Sequence, residues 1–179
     1  MKLSLRPLRS FVRDRRGLAA LEFALIAPLM VTVLFGSVEL TGLLNTNRRA
    51  ENTSASVADI IARDTEVTNT EMSDLWSASS ILMYPDASTP LKMRVSSVQV
   101  QTPTQATVLW SDGYNGYAAR GVGSSVTLPS AMMITGTSVI IAETTYRYTP
   151  PIGVFLKIAM DLNHTEYRRP RVVDPVVRK

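Results

Sequence analysis

The sequence predicts an α+β protein: one long N-terminal helix, embedded in a membrane over its first part, packed on a small antiparallel β-sheet. Three observations carry this. Residues 18–44 form an almost uninterrupted apolar block. Polar residues with weak helical periodicity follow it to Arg63. The second half of the chain then alternates apolar and polar residues in short runs bounded by Pro and Gly, the pattern of half-buried strands.

The chain has 179 residues, enough for one modest domain and a terminal appendage. Its charge is unevenly spread. The first 17 residues carry Lys2, Arg6, Arg9, Arg13, Arg15 and Arg16 against the single acid Asp14, while the rest of the chain is close to neutral. The pI of about 9.6 is therefore a property of the N-terminal tail. A basic tail serves nucleic-acid binding or membrane topology, and the apolar run directly after it favours topology. The chain holds no cysteine, which excludes disulfides, Cys-ligated metals and a cysteine nucleophile.

Residues 18–44 read LAALEFALIAPLMVTVLFGSVELTGLL, with Glu22 and Glu39 as the only charges. As a helix this block spans about 40 Å at ~1.5 Å per residue, more than the ~30 Å hydrocarbon core of a bilayer. One spanning helix is expected, with an acid near each boundary and the N-terminus in the cytoplasm by the positive-inside rule. Pro28 removes one helical hydrogen bond and is expected to kink the span. Glu22 and Glu39 fall about 100° apart around the helix, so Glu39 is expected to snorkel or to sit at the far interface. Three plainer readings compete: a secretory signal peptide, an uncleaved single-pass anchor, and a buried helix of a soluble protein. Against the first stand the length of the block, Glu22 within it and the lack of a good A-x-A site close behind.

The run Arg15-Arg16-Gly17-Leu18-Ala19-Ala20-Leu21-Glu22-Phe23 resembles the recognition site of a prepilin peptidase, in which basic residues and Gly precede the cut and an apolar helix with Glu at mature position five follows. Cleavage after Gly17 would make Leu18 the new N-terminus and Glu22 the fifth residue. Glycine suits the cut because its backbone enters a protease groove without steric cost. A carboxylate at the centre of a spanning helix costs about 2.5–3.5 kcal/mol, but Glu22 lies only about 6 Å along the axis from Leu18. The new α-amino group, with a reference pKa of about 7.7–8.0, can pair in a neighbouring subunit with Glu22 and set the axial register of adjacent helices. The plainer account of Glu22 is an acid favoured by the N-terminal helix dipole.

Taken with Ala-Pro at Ala27-Pro28 and the Phe-Gly-x-x-Glu of Phe35 to Glu39, this stretch is similar to the TadE-like minor pilins of tight-adherence (Flp) pilus systems. The resemblance is specific over Arg15–Leu40 and weaker over Thr144–Arg171. It implies cleavage between Gly17 and Leu18 by a prepilin peptidase, an assembly role for Glu22, and insertion in the inner membrane with the C-terminal domain in the periplasm. It also implies partnership with other minor and major pilins, the inner-membrane assembly platform and membrane lipid, and a part in pilus initiation, assembly or surface adhesion. Major Flp pilins are much shorter, so the 162 residues after the cut point to a minor subunit. The organisation expected is a cytoplasmic basic leader at 1–17, a transmembrane and assembly helix at 18–44 and an extracytoplasmic α+β domain at 45–179. The alternative function is an uncleaved, single-pass anchored binding module of the cell envelope. A secreted soluble domain is a third.

Beyond residue 44 the helix is expected to continue to about Arg63, with Ala50, Val57, Ile60 and Ile61 as its apolar positions. Thr70 is expected to cap a short helix reaching about Met83, with Leu75, Trp76, Ile81 and Leu82 in the core. Pro85 and Pro90 bracket a loop. Lys92–Gln101 and Gln105–Trp110 read as a hairpin through Thr102-Pro103-Thr104, with Ala106, Val108 and Trp110 on one face. Gly113–Ser125 reads as a flexible surface loop whose Tyr114 and Tyr117 are structural or contact a partner. It lacks the Gly-Lys-Ser/Thr ending of a phosphate loop. Thr137–Tyr148 is the best strand, ended by Pro150-Pro151. Ile152–Leu162 suits a short helix or a docking turn, and His164–Arg169 an edge strand stopped by Pro170. Arg168, Arg169 and Arg171 read as a solvated edge rather than a nucleic-acid site.

No catalytic constellation stands out. One histidine, His164, and no cysteine argue against zinc, and no Gly-x-Ser-x-Gly elbow is present. The expectation is a structural protein with no enzymatic activity, no cofactor, no metal and no nucleic-acid partner.

Overall fold

The computed structural model describes residues 17–179; the basic leader, with Arg15 and Arg16, lies outside the described residues apart from Gly17. The chain forms a long helix α1 (Leu18–Ala62), a short strand β1 (Glu66–Val67), helix α2 (Asn69–Leu82) and strands β2 (Leu91–Thr102) and β3 (Gln105–Tyr114). A 3₁₀ turn (Ser130–Met132) and strands β4 (Ser138–Tyr148), β5 (Met160–Arg168) and β6 (Val177–Arg178) follow. The main sheet is antiparallel, in the order β3-β2-β4-β5. The fold is thus α+β, a long apolar N-terminal helix with a four-stranded antiparallel sheet.

α1 runs unbroken through Pro28 for 45 residues, about 67 Å at 1.5 Å per residue. Proline lacks the N–H that would bond the carbonyl of Ala24; one turn on, the Thr32 hydroxyl donates to the Pro28 carbonyl at 2.7 Å. The helix has two regimes. From Leu18 to Val38 its side chains are exposed or at most half-buried, and none of its most apolar window is buried. From Glu39 onward a stripe turns inward: Thr46, Ala50, Thr53, Ser54, Val57, Ala58, Ile61 and Ala62 are buried. Their spacing of three and four residues is one helical face. The residues are small, so the helix lies close against the sheet: the Ser54 hydroxyl donates to the Ala142 carbonyl at 2.8 Å, and the Thr144 hydroxyl to the Ala50 carbonyl at 3.4 Å. Ile60, read as apolar-periodic, falls off this stripe and is exposed.

The inner sheet face meets α1 and α2 with Leu91, Met93 and Val95 of β2 and Ile140, Ala142, Tyr146 and Tyr148 of β4. Val98, Val100, Ala106, Val108, Val139 and Ile141 form a second cluster on the opposite face. Both faces are apolar because the stretch 113–134 folds over the outer one. Val126 and Leu128 cover it, and hydrogen bonds from the Gly123 and Val126 amides to the Val108 and Ala106 carbonyls tie it to β3. The segment expected as a flexible surface loop, Gly113–Ser125, begins inside β3 and stays at the surface, its end tied back to Val108 by backbone hydrogen bonds at Gly123 and Ser124; the packed cover starts at Val126. Its tyrosines are engaged within the chain: Tyr114 stacks on Trp76 at 5.2 Å, and the Arg94 guanidinium lies 4.5 Å from the centre of the Tyr117 ring.

Several local expectations are corrected. Ala106, Val108 and Trp110 do not share a face: β2 pairs Ser97 with Trp110 but Val98 with Val108, so Leu109 is bulged. The extra residue resets the alternation and turns Trp110 to the inner core. The cap of α2 is Thr68 rather than Thr70. The Glu71 amide donates to the Thr68 hydroxyl at 3.3 Å and the Thr68 amide to the Glu71 carboxylate at 2.7 Å, a reciprocal capping box. Met72, Leu75 and Ser79 face the core from α2, while Ile81 and Leu82 are exposed. Ile152–Leu162 forms no helix; its last residues begin β5. β5 is an edge strand, ending two residues before Pro170.

The last residues form a strap that the sequence did not announce. The Arg171 amide donates to the Ala62 carbonyl at 2.7 Å, satisfying an end of α1. β6 pairs in parallel with β1, Val176 is buried, and the Trp110 indole N–H donates to the Val176 carbonyl at 2.9 Å. Arg178 closes the strap on Asp112 at 2.8 Å. Arg171 pairs with Asp59, Arg168 with Glu166, and Arg169 donates to the Ala131 carbonyl, so the C-terminal arginines fasten the edge of the fold.

Candidate functional site: the projecting helix and its foot

Residues 18–38 of α1 project from the folded body over about 31 Å, touched by it at Gly36 near their far end, and this length matches a bilayer's ~30 Å hydrocarbon core. Gly17 occupies the N-cap position with right-handed helical dihedrals (φ −79°, ψ −15°), and no described atom lies within 4 Å of where its Cβ would be. Leu18 begins the helix and is exposed. Glu22, also exposed, lies one turn further on the same face, because residues four apart are neighbours on a helix surface. The three residues singled out from the sequence thus sit together at the free end of the helix.

At the other end of the projecting segment lies Glu39, expected to snorkel or to sit at the far interface. It neither snorkels nor meets solvent, being 1% exposed. Its carboxylate accepts hydrogen bonds from three successive backbone amides of the β4–β5 connection: Val154 at 2.6 Å, Phe155 at 3.0 Å and Leu156 at 2.8 Å. Consecutive amides pointing at one anion form a nest, a concavity that binds negative charge. The Phe155 ring approaches Gly36 one turn below, 3.6 Å from where a Cβ would be. Gly36 is covered in part by the chain's own loop. The docking turn expected at 152–162 is this clasp. Its signal in the sequence was an acid at the end of an apolar helix, but its partners lie about 115 residues away and only folding reveals them.

A second charged cluster lies on the outer face of the sheet. Glu143 is 8% exposed, accepts from Arg94 Nε and Nη2 at 2.7 and 2.8 Å, and accepts from Arg120 Nη2 at 2.8 Å. Burial pushes its carboxyl pKa up, but the hydrogen bonds and charges of the two guanidinium groups outweigh that and hold it below the usual carboxylate range. The lone histidine, His164, has its Nε2 3.1 Å from the Asn47 side-chain oxygen. Among the described residues no group of three or more His, Cys, Asp or Glu side chains is arranged to hold a metal.

This geometry defines a class first: an α+β protein whose one long N-terminal helix is apolar enough to serve as a single-pass membrane anchor. Residues 17–59 then match the family model described as TadE-like protein, from the first described residue to within a turn of the end of α1. Over this segment the chain is similar to the TadE-like family, a structural family associated with the Tad pilus system. No curated protein and no solved structure matches the chain.

Proposed function

We propose that the chain is a minor pilin of a tight-adherence pilus, cut between Gly17 and Leu18 by a prepilin peptidase, held in the inner membrane by α1 and drawn from there into the fibre. The observation that carries this reading is the bare length of helix 18–38, with Gly17 and Glu22 at its tip, inside the TadE-like match. An apolar helix left almost bare by its own fold needs an apolar surrounding, and two surroundings supply one. In the membrane lipid surrounds it, and in a fibre the helices of other pilins do.

The handover needs no refolding. The folded body grips α1 from Gly36 and Glu39 onward, so the part before Gly36 can pass from lipid to protein as a rigid rod. Ala19, Ala20, Ala24 and Ala27 let neighbouring helices approach closely. Glu22 supplies what a purely apolar rod lacks, a mark of axial register. The α-amino group released at Leu18 is a cation at the apolar tip of one subunit, and Glu22 of a neighbour is the anion one turn in. Pairing them compensates two charges that would otherwise stand unpaired in an apolar environment and penalises any other stagger.

The test is Glu22→Ala in a piliated host. The variant is expected to be cleaved and membrane-inserted as wild type and to leave pilus assembly defective. Normal piliation would refute the assembly role.

A further inference from the structure

We infer that the β4–β5 connection around Phe155 is a lipid-contacting foot, which dips into the outer edge of the bilayer beside α1 and fixes the height of the folded body above the membrane. The inference rests on the reading of α1 as a membrane span. It starts from position along the helix. Gly36 and Glu39 lie 18 and 21 residues after Leu18, about 27 and 32 Å along the axis, which brackets the far boundary of a ~30 Å hydrocarbon core. Phe155 packs on Gly36, and the amides of Val154 to Leu156 are bound to Glu39. The loop is therefore held at the depth where hydrocarbon gives way to headgroups.

Its chemistry suits that depth. Ile152, Val154, Phe155 and Ile158 are all exposed large apolar side chains on a seven-residue stretch, Ile158 at 76%. Loop backbone is normally excluded from lipid because its polar groups lack partners. Here the Val154, Phe155 and Leu156 amides and the carboxylate of Glu39 satisfy one another, which lowers the cost of bringing this part of the loop and the acid to the edge of the apolar zone. Lys157 stands exposed among the apolar residues, with a long stem and a charged end that can reach lipid phosphates. The apolar surface is also continuous with the exposed face of α1 below it, so lipid around the helix reaches the foot without any further partner.

The absence of cysteine allows single spin labels to be placed in the full chain. Leu29→Cys reports on the span, Ile158→Cys on the foot and Thr104→Cys on the exposed β2–β3 turn. Each labelled chain is reconstituted in vesicles of phosphatidylethanolamine and phosphatidylglycerol, and collision with oxygen is compared with collision with a water-soluble nickel chelate. The inference predicts an oxygen-to-nickel ratio at Ile158 several-fold above that at Thr104 and approaching that at Leu29. A ratio at Ile158 equal to that at Thr104, with Leu29 still lipid-exposed, overturns the foot and leaves the span intact. Shielding of Ile158 from both reagents overturns it in favour of a protein partner. Water exposure at both Leu29 and Ile158 removes the membrane reading itself.

Discussion

Replacing Glu143 with Ala removes the acceptor shared by Arg94 and Arg120. Three charge-assisted hydrogen bonds are lost, each contributing about 1.5–3 kcal/mol. The guanidinium groups are left without their anion under the cover formed by residues 113–134. Breaking a buried ion pair costs about 3–5 kcal/mol. The Arg94 and Arg120 side chains are 16% and 25% exposed and recover part of their hydration, so the expected loss is nearer about 2–4 kcal/mol. For a chain of this size that lowers Tm by about 10 °C, readable by near-ultraviolet circular dichroism of Trp76 and Trp110 in detergent. The same cluster sets a pH dependence. Because the folded-state pKa of Glu143 lies below its unfolded value, its contribution is fully present above the unfolded value, and it is lost as pH falls through the folded one. The gap between wild type and Glu143→Ala must therefore narrow in acid. A loss under about 1 kcal/mol near neutral pH, or a gap that widens as pH falls, would show that the cluster is solvated and that this reasoning is wrong.

Two further outcomes follow from the described contacts. Glu39→Gln keeps the size of the side chain but replaces a charged acceptor, and it should raise hydrogen exchange at the Val154, Phe155 and Leu156 amides above that of the β4 amides; unchanged protection would mean the nest does not depend on the carboxylate. Thr68→Ala removes the α2 capping box and should cost about 1 kcal/mol, measured by chemical unfolding of the full chain in detergent, whereas Thr70→Ala should change stability by a few tenths of that.

What could be read from the sequence was whatever repeats at short range. The 27-residue apolar block and the periodic continuation to Arg63 gave α1 nearly to the residue, and alternation gave β4, whereas the edge strand read at His164–Arg169 begins four residues earlier, at Met160. The capping box was readable too, since Thr68-x-x-Glu71 is its signature, but Thr70 with Glu71 and Asp74 beside it offered a competing start. Ile81 and Leu82 misled because apolar identity alone does not fix a helix face; Met72, Leu75 and Ser79 set it. The features that escaped depend on distant residues. The bulge at Leu109 exists only in register with β2, the strap only once Trp110 and Asp112 are in place to receive Val176 and Arg178, and the Glu39 clasp only when the β4–β5 turn folds back on α1. At the candidate site, Gly17, Leu18 and Glu22 form a local signal whose processing and assembly roles rest on the experiments proposed, while the Glu39 clasp joins residues about 115 apart and has no local signal.

The central claim is that α1 begins a processed pilin, and the N-terminus of the isolated protein tests it most directly. Mass spectrometry of the full-length product expressed with and without a prepilin peptidase should give a chain starting at Leu18 only when the peptidase is present. An N-terminus retaining Met1–Gly17 under both conditions would contradict the claim and leave an uncleaved membrane anchor in its place.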